Sequence, residues 1–130
     1  MAGQLTAEQA ALLREPHIAH VVTVNPDSTP QVTPMWIDTD GECVFLNTNT
    51  ARVKYRNLKQ NPLILISVVD ARHPSSRTVL IKGRADLIDK GALEHIDFLS
   101  RKYDGGPWEP NPGEVRVIIR VTVDKAWAAW

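Results

Sequence analysis

Between Ile18 and Thr48, short β-branched runs alternate with turn-forming clusters, and no helical pattern separates them. IAHVVTV (Ile18–Val24) is followed by NPDSTP (Asn25–Pro30), QVTPMWID (Gln31–Asp38), TDGE (Thr39–Glu42) and CVFLNT. Asn, Asp, Ser, Gly and Pro supply the turn chemistry in these clusters, so three antiparallel strands in a meander are expected. Pro34 has no N–H to give to a ladder, which predicts an edge or a bulge in the second strand and a locally unpaired backbone there.

The remainder of the chain adds three strands and three helices. Thr6 with Gln9 has the form of a capping box and predicts a helix from Ala7 to Arg14, stopped by Pro16. Thr50 is the expected N-cap of ARVKYRNLKQN, where Ala51, Tyr55 and Leu58 recur at helical spacing and Asn61-Pro62 ends the pattern. LILISVV (Leu63–Val69) reads as a strand buried on both faces, and TVLIKGRADLI (Thr78–Ile88) as a strand bent or bulged at Gly83. Leu93, Ile96, Leu99 and Tyr103 predict a helix between Asp89 and Asp104, and VRVIIRVTV is the last strand, after the turn-rich loop Gly105–Glu114. Strands and helices do not alternate as in a parallel sheet. The expected fold is mainly β with peripheral helices, its six antiparallel strands closed into a small barrel.

At 130 residues, with 43% hydrophobic and 23% charged residues, the chain fits one folded domain spanning residues 1–130. Fifteen basic residues balance fifteen acidic ones, so there is no global field for nucleic acid or an anionic membrane. No apolar stretch is long enough to span a bilayer and MAGQLTAEQAALLRE has no signal-peptide form, so a cytoplasmic protein is expected. Cys43 is the single cysteine, which excludes an intramolecular disulfide; in CVFL it reads as a small buried hydrophobe. His17 and His20, placed on a strand, would point to opposite faces, and no metal site is expected.

NTNTARVKYRNLK (Asn47–Lys59) is the segment able to carry chemistry, because Arg52, Lys54, Arg56 and Lys59 crowd a helix start. Cations there oppose the helix dipole unless an anion is present. Thr48, Thr50, Arg52 and Lys54, with the free N–H groups of the first turn, would suit a phosphate; a solvated basic helix face is the alternative, and spacing alone does not choose. Pro34-Met35-Trp36 offers a freed backbone and apolar contact for a flat ring, with core packing of Trp36 as its alternative. Trp108, Trp127 and Trp130 would line a pocket or a subunit interface. GxSxG, HExxH and P-loop motifs and Cys/His pairings are missing, so an enzymatic role would rest on a cofactor.

HIAHVVTVNPDSTPQVTPMWID, LNTNTARVKYRNLKQNP, IKGRADLI and RKYDGGPW together resemble the flavin-binding split-barrel superfamily, the pyridoxamine 5′-phosphate oxidase-like proteins, and within it the deazaflavin-dependent reductases. The resemblance implies a six-stranded split β-barrel of the FMN-binding type, forming a homodimer with cofactor clefts between subunits. It places the tricyclic ring along Val32, Thr33, Pro34, Met35 and Trp36. It assigns the phosphate to Asn47, Thr48, Thr50, Arg52 and Lys54, supported by Asn57 and Arg56, with Val53 also at the cofactor, Arg77 reaching it and Trp108 coming from the partner subunit.

The cofactor implied is the deazaflavin coenzyme F-420, with FMN as the alternative, since both bring a ring, a ribityl chain and a phosphate. The end VDKAWAAW lacks the substrate-phosphate Arg and His pattern of a true pyridoxamine phosphate oxidase. The implied activity is hydride transfer to an electron-poor small molecule such as an enone, a quinone or a tetrapyrrole. An FMN-dependent oxidase or reductase, and a cofactor-binding protein without turnover, are the alternatives.

Overall fold

The computed structural model describes residues 3–128. Its elements run α1 (Ala7–Arg14), β1 (Ala19–Val24), β2 (Pro30–Met35), β3 (Asp38–Thr39), β4 (Val44–Asn49), α2 (Val53–Gln60), β5 (Leu63–Val69), β6 (Thr78–Ile88), α3 (Ala92–Asp104) and β7 (Arg116–Trp127). Thr6 and Gln9 form the capping box of α1 as the sequence predicts. The expected Thr50 cap of α2 is not formed. Asn49 Oδ1 takes the Ala51 N–H at 3.0 Å and the Thr50 N–H goes to Val115 O at 3.1 Å, so helical geometry begins only after Arg52, which caps without a side-chain bond.

Among the described residues, seven antiparallel strands form one sheet in the order β2-β1-β5-β6-β7-β4-β3. The expected six become seven because QVTPMWID breaks at Trp36 and Ile37. The expected three-strand meander is corrected as well: β1 and β2 form a hairpin, but β3 and β4 pair with each other and not with β2. Edge position for the Pro34 strand holds, with Pro34 opposite His20 of β1.

Strands β2 and β3 are the opposite edges of the sheet, yet only Trp36 and Ile37 separate them. Three residue steps reach at most about 11 Å, so the sheet must roll until its edges nearly meet, leaving a seam without ladder bonds. Ile37 lies at that seam and is fully buried. Its peptide groups are satisfied from α3: Ile37 N–H donates to Tyr103 Oη at 3.1 Å, and Lys102 Nζ donates to Ile37 O at 2.6 Å and to Leu13 O at 2.7 Å. The Tyr103 hydroxyl donates in turn to His17 O at 2.6 Å.

The barrel core is Val21, Leu46, Ile64, Ile66, Ile81, Ile119 and Val121, closed by Leu12 and Leu13 of α1. Strand β5 is not buried on both faces: Ile64, Ile66 and Val68 point inward, while Leu65 and Val69 are each 37% exposed. The predicted bulge is present, with the β6–β7 register shifting between Lys82 and Gly83. A Cβ on Gly83 would clash with Thr122 O, so β7 passes too close for any side chain there. Among the described residues no helix is long and apolar enough to cross a membrane.

Candidate functional site

A cleft of about 560 Å³ opens beside the seam. Thr33, Pro34, Met35 and Trp36 form one side, where β2 ends. Asn47 and Thr48 of β4, with Arg52 and Lys54 at the start of α2, form a second. Ile18, Ile96 and Leu99 give an apolar floor, and Trp108 and Arg116 complete the rim.

The aromatic wall is built by stacking. Trp36 lies parallel to Tyr103 at 5.4 Å, Trp108 meets Trp36 edge-on at 6.2 Å, and the Arg116 guanidinium sits 5.0 Å from the Trp108 ring. Trp108 is held by its own chain, its N–H donating to Asp97 Oδ1 at 2.9 Å. Two polar atoms of cleft-lining residues, Thr33 Oγ1 and Trp108 Nε1, are buried without a hydrogen-bond partner among the described residues. Groups of this kind cost free energy unless a ligand or water pairs them.

Charge in the cleft is one-sided. Burial pushes the Lys54 ammonium below its ordinary pKa, and Arg52 and Arg116 push the same way, with no carboxylate paired to Lys54 among the described residues. Burial also lowers Arg116, against the pull of Glu114 at 3.3 Å. Burial raises the Glu114 carboxyl, but the hydrogen bond from Asn49 at 2.9 Å and the Arg116 charge outweigh it and leave it lowered. Half-desolvated cations of this kind are chemically suited to an anion.

Comparison with known proteins places this architecture. The pyridoxamine 5′-phosphate oxidase family profile matches residues 5–128. The chain belongs to the pyridoxamine 5′-phosphate oxidase family. A solved F-420 reductase is 35% identical, covers 95% of this chain and 98% of its own, and superposes with a TM-score of 0.84. A conserved hypothetical protein of Mycobacterium tuberculosis (23% identity, 98% of this chain and 86% of that one, TM-score 0.77) shares the fold. So does HupZ of Group A Streptococcus (22% identity, 96% and 94%, TM-score 0.72). The curated proteins contain no match.

In this member of the pyridoxamine 5′-phosphate oxidase family, several residues singled out in the sequence do not line the cleft. Val32 faces outward and is 57% exposed, and Val53 is exposed on α2. Thr50 is turned into the loop beside Val115. Asn57 is buried and pins α2 to the first hairpin through Thr23 Oγ1 at 3.1 Å and Asn25 Oδ1 at 2.9 Å. Arg77 is engaged elsewhere, bonding Glu15 through Nη1 at 2.9 Å and Nη2 at 3.0 Å and pairing with buried Asp70. His17 precedes β1, so its expected strand geometry does not apply; with Glu15 and Asp70 it forms a cluster within 4.8 Å that the guanidinium groups of Arg72 and Arg77 neutralise.

Trp127 ends β7 opposite Leu80, away from the cleft, and Trp130 lies outside the described residues. Arg116 was missed by sequence reasoning. Strand alternation puts it on the outward side with Arg120, and only the Gly105–Glu114 loop and α3, folded over it, convert it to a buried cleft cation.

Proposed function

We propose that this protein is an oxidoreductase that uses the reduced deazaflavin coenzyme F-420 to reduce an electron-poor small molecule of the enone, quinone or tetrapyrrole class. One observation carries the reading: the freed backbone of Thr33–Trp36 faces the cations Arg52 and Lys54, which have no ion pair among the described residues, across one cleft. The 35% identity to an F-420 reductase over nearly the whole chain supports it. The cleft's unsatisfied Thr33 Oγ1 and Trp108 Nε1 and its net positive charge fit a ligand with a polar ring edge and a phosphate.

In this reading Arg52, Lys54 and Thr48 hold the phosphate, and the edge backbone at Thr33–Trp36 orients the ring. When bound, the reduced coenzyme supplies the hydride. The protein's part is orientation and exclusion of water by Ile18, Ile96, Leu99 and Trp36, with no side chain taking a covalent role. A homodimer fits the outer sheet face, where the register sets Val32, Val22 and Leu65 in one apolar row and leaves Val32 and Leu65 exposed. A cytoplasmic location completes the proposal.

The test is titration of the purified protein with F-420 and, separately, with FMN, followed by quenching of its tryptophan fluorescence. Micromolar or tighter F-420 binding with much weaker FMN binding is expected. The reverse order would assign the protein to FMN, and binding of neither would refute a coenzyme role. Replacing Arg52 and Lys54 by Ala together should weaken binding about tenfold or more, equivalent to about 1.4 kcal/mol.

A further inference from the structure

Asn47 lines the cleft, yet its amide is fully engaged inside the protein. Oδ1 accepts from Arg116 Nε at 2.9 Å, while Nδ2 donates to Ala92 O at 3.0 Å and faces His95 Nδ1 at 3.0 Å. A guanidinium only donates and a backbone carbonyl only accepts, so these two partners fix which end of the amide is which. The second Nδ2 proton therefore meets a lone pair on His95 Nδ1. His95 must be neutral, with its own proton on Nε2, an atom that is buried and unpartnered among the described residues.

We propose that His95 is a positioning residue: by accepting from Asn47 it locks the amide in the orientation that aims Arg116 into the cleft, making Arg116 a third anion-binding cation beside Arg52 and Lys54. Asn47 is then a relay, and its contribution to phosphate binding is indirect. The ligand's identity rests on the coenzyme reading above; the locked amide is a property of the free protein.

The surroundings favour the neutral ring. Burial dominates and disfavours the imidazolium, Asp38 of β3 opposes that effect, Arg116 of β7 adds to it, and the Phe45 ring of β4 packs edge-on at 6.2 Å. Protonation of Nδ1 would set donor against donor. The Asn47–His95 bond would be lost and the amide pushed off His95, loosening the Oδ1 contact that aims Arg116 and leaving the guanidinium to Glu114 and the Trp108 ring.

The experiment has two arms. NMR of the imidazole nitrogens in ¹⁵N-labelled, ligand-free protein should show the Nε2–H tautomer of His95 at neutral pH, with the Asn47 amide protons shifting as the ring titrates in acid. An Nδ1–H tautomer, or a charged ring at neutral pH, would overturn the proposal whatever the protein binds. In the second arm F-420 and FMN are titrated against pH. His95→Asn, whose Oδ1 replaces the Nδ1 lone pair, should bind within about twofold of the parent but lose the His95-dependent fall in affinity in acid, whereas His95→Phe should bind about tenfold more weakly. A folded His95→Phe protein with parental affinity and pH profile would also overturn it. Failure of both ligands to bind the parent protein would refute the coenzyme reading, and the NMR arm would still decide this one.

Discussion

Replacing Tyr103 by Phe isolates the bond that closes the seam. The ring and its stacking on Trp36 are retained, and only the hydroxyl is lost. That hydroxyl accepts from Ile37 N–H and donates to His17 O, and burial pushes its pKa up to about 12, so it keeps its proton across the ordinary pH range. Ile37 is fully buried and its N–H would have no water to turn to; the His17 carbonyl lies nearer solvent and loses less. An orphaned buried polar group costs about 1–3 kcal/mol, so the full loss at Ile37 and a partial one at His17 come to about 2–3 kcal/mol.

At about 4 °C per kcal/mol for a chain of this length, the melting temperature should fall by about 8–12 °C. Thermal and urea denaturation of Tyr103→Phe would measure it. Lys102→Met removes the partner of the other backbone group of Ile37, so the two changes together should cost less than their sum. A Tyr103→Phe protein melting within about 2 °C of the parent would refute the argument that α3 holds the seam.

Gly83→Ala should destabilise by about 1–3 kcal/mol through the clash with Thr122 O, read in the same melts; unchanged stability would mean that β7 can move aside. Acid sensitivity should trace to the ion cluster under α1. Arg77, then His17, hold Glu15 down to about 2, and Arg72 with Arg77 hold the Asp70 carboxyl well below the usual carboxylate range. A carboxylate depressed in the folded state stabilises above its unfolded pKa of about 4 and loses that contribution as pH falls further. Glu15→Gln should therefore flatten the stability curve between about pH 4 and 2, and an unaltered curve would move the acid response elsewhere.

Most strands were legible because local chemistry specifies them. The capping box, the Leu63–Val69 run and the glycine in Thr78–Ile88 each act within a few residues, and the structure has these elements at the expected bounds. Trp36-Ile37 was not legible as a crossing, since its peptides are satisfied by Lys102 and Tyr103, far along the chain. The cleft divides in the same way. Thr33–Trp36 and Arg52–Lys54 announce themselves by a proline in a strand and cations at a helix start. Arg116 becomes a cleft residue only through a loop folded over an outward-facing strand position. Arg77 misled because nothing in its sequence neighbourhood shows Glu15 waiting for it.

The two-residue step between the edge strands has a consequence for how the molecule assembles. Hairpins β1–β2 and β5–β6 form from neighbouring segments, but β4 pairs only with β3 and β7, setting Val44 opposite Val121 across more than half the chain. Closing that long loop is entropically slow, and it is the event that brings the β2 end, the start of α2 and Arg116 to one place. No partly folded intermediate lacking the β4–β7 ladder contains the cleft. A ligand of the cleft therefore recognises only the closed barrel, slows its opening, and raises the melting temperature in proportion to the logarithm of its concentration.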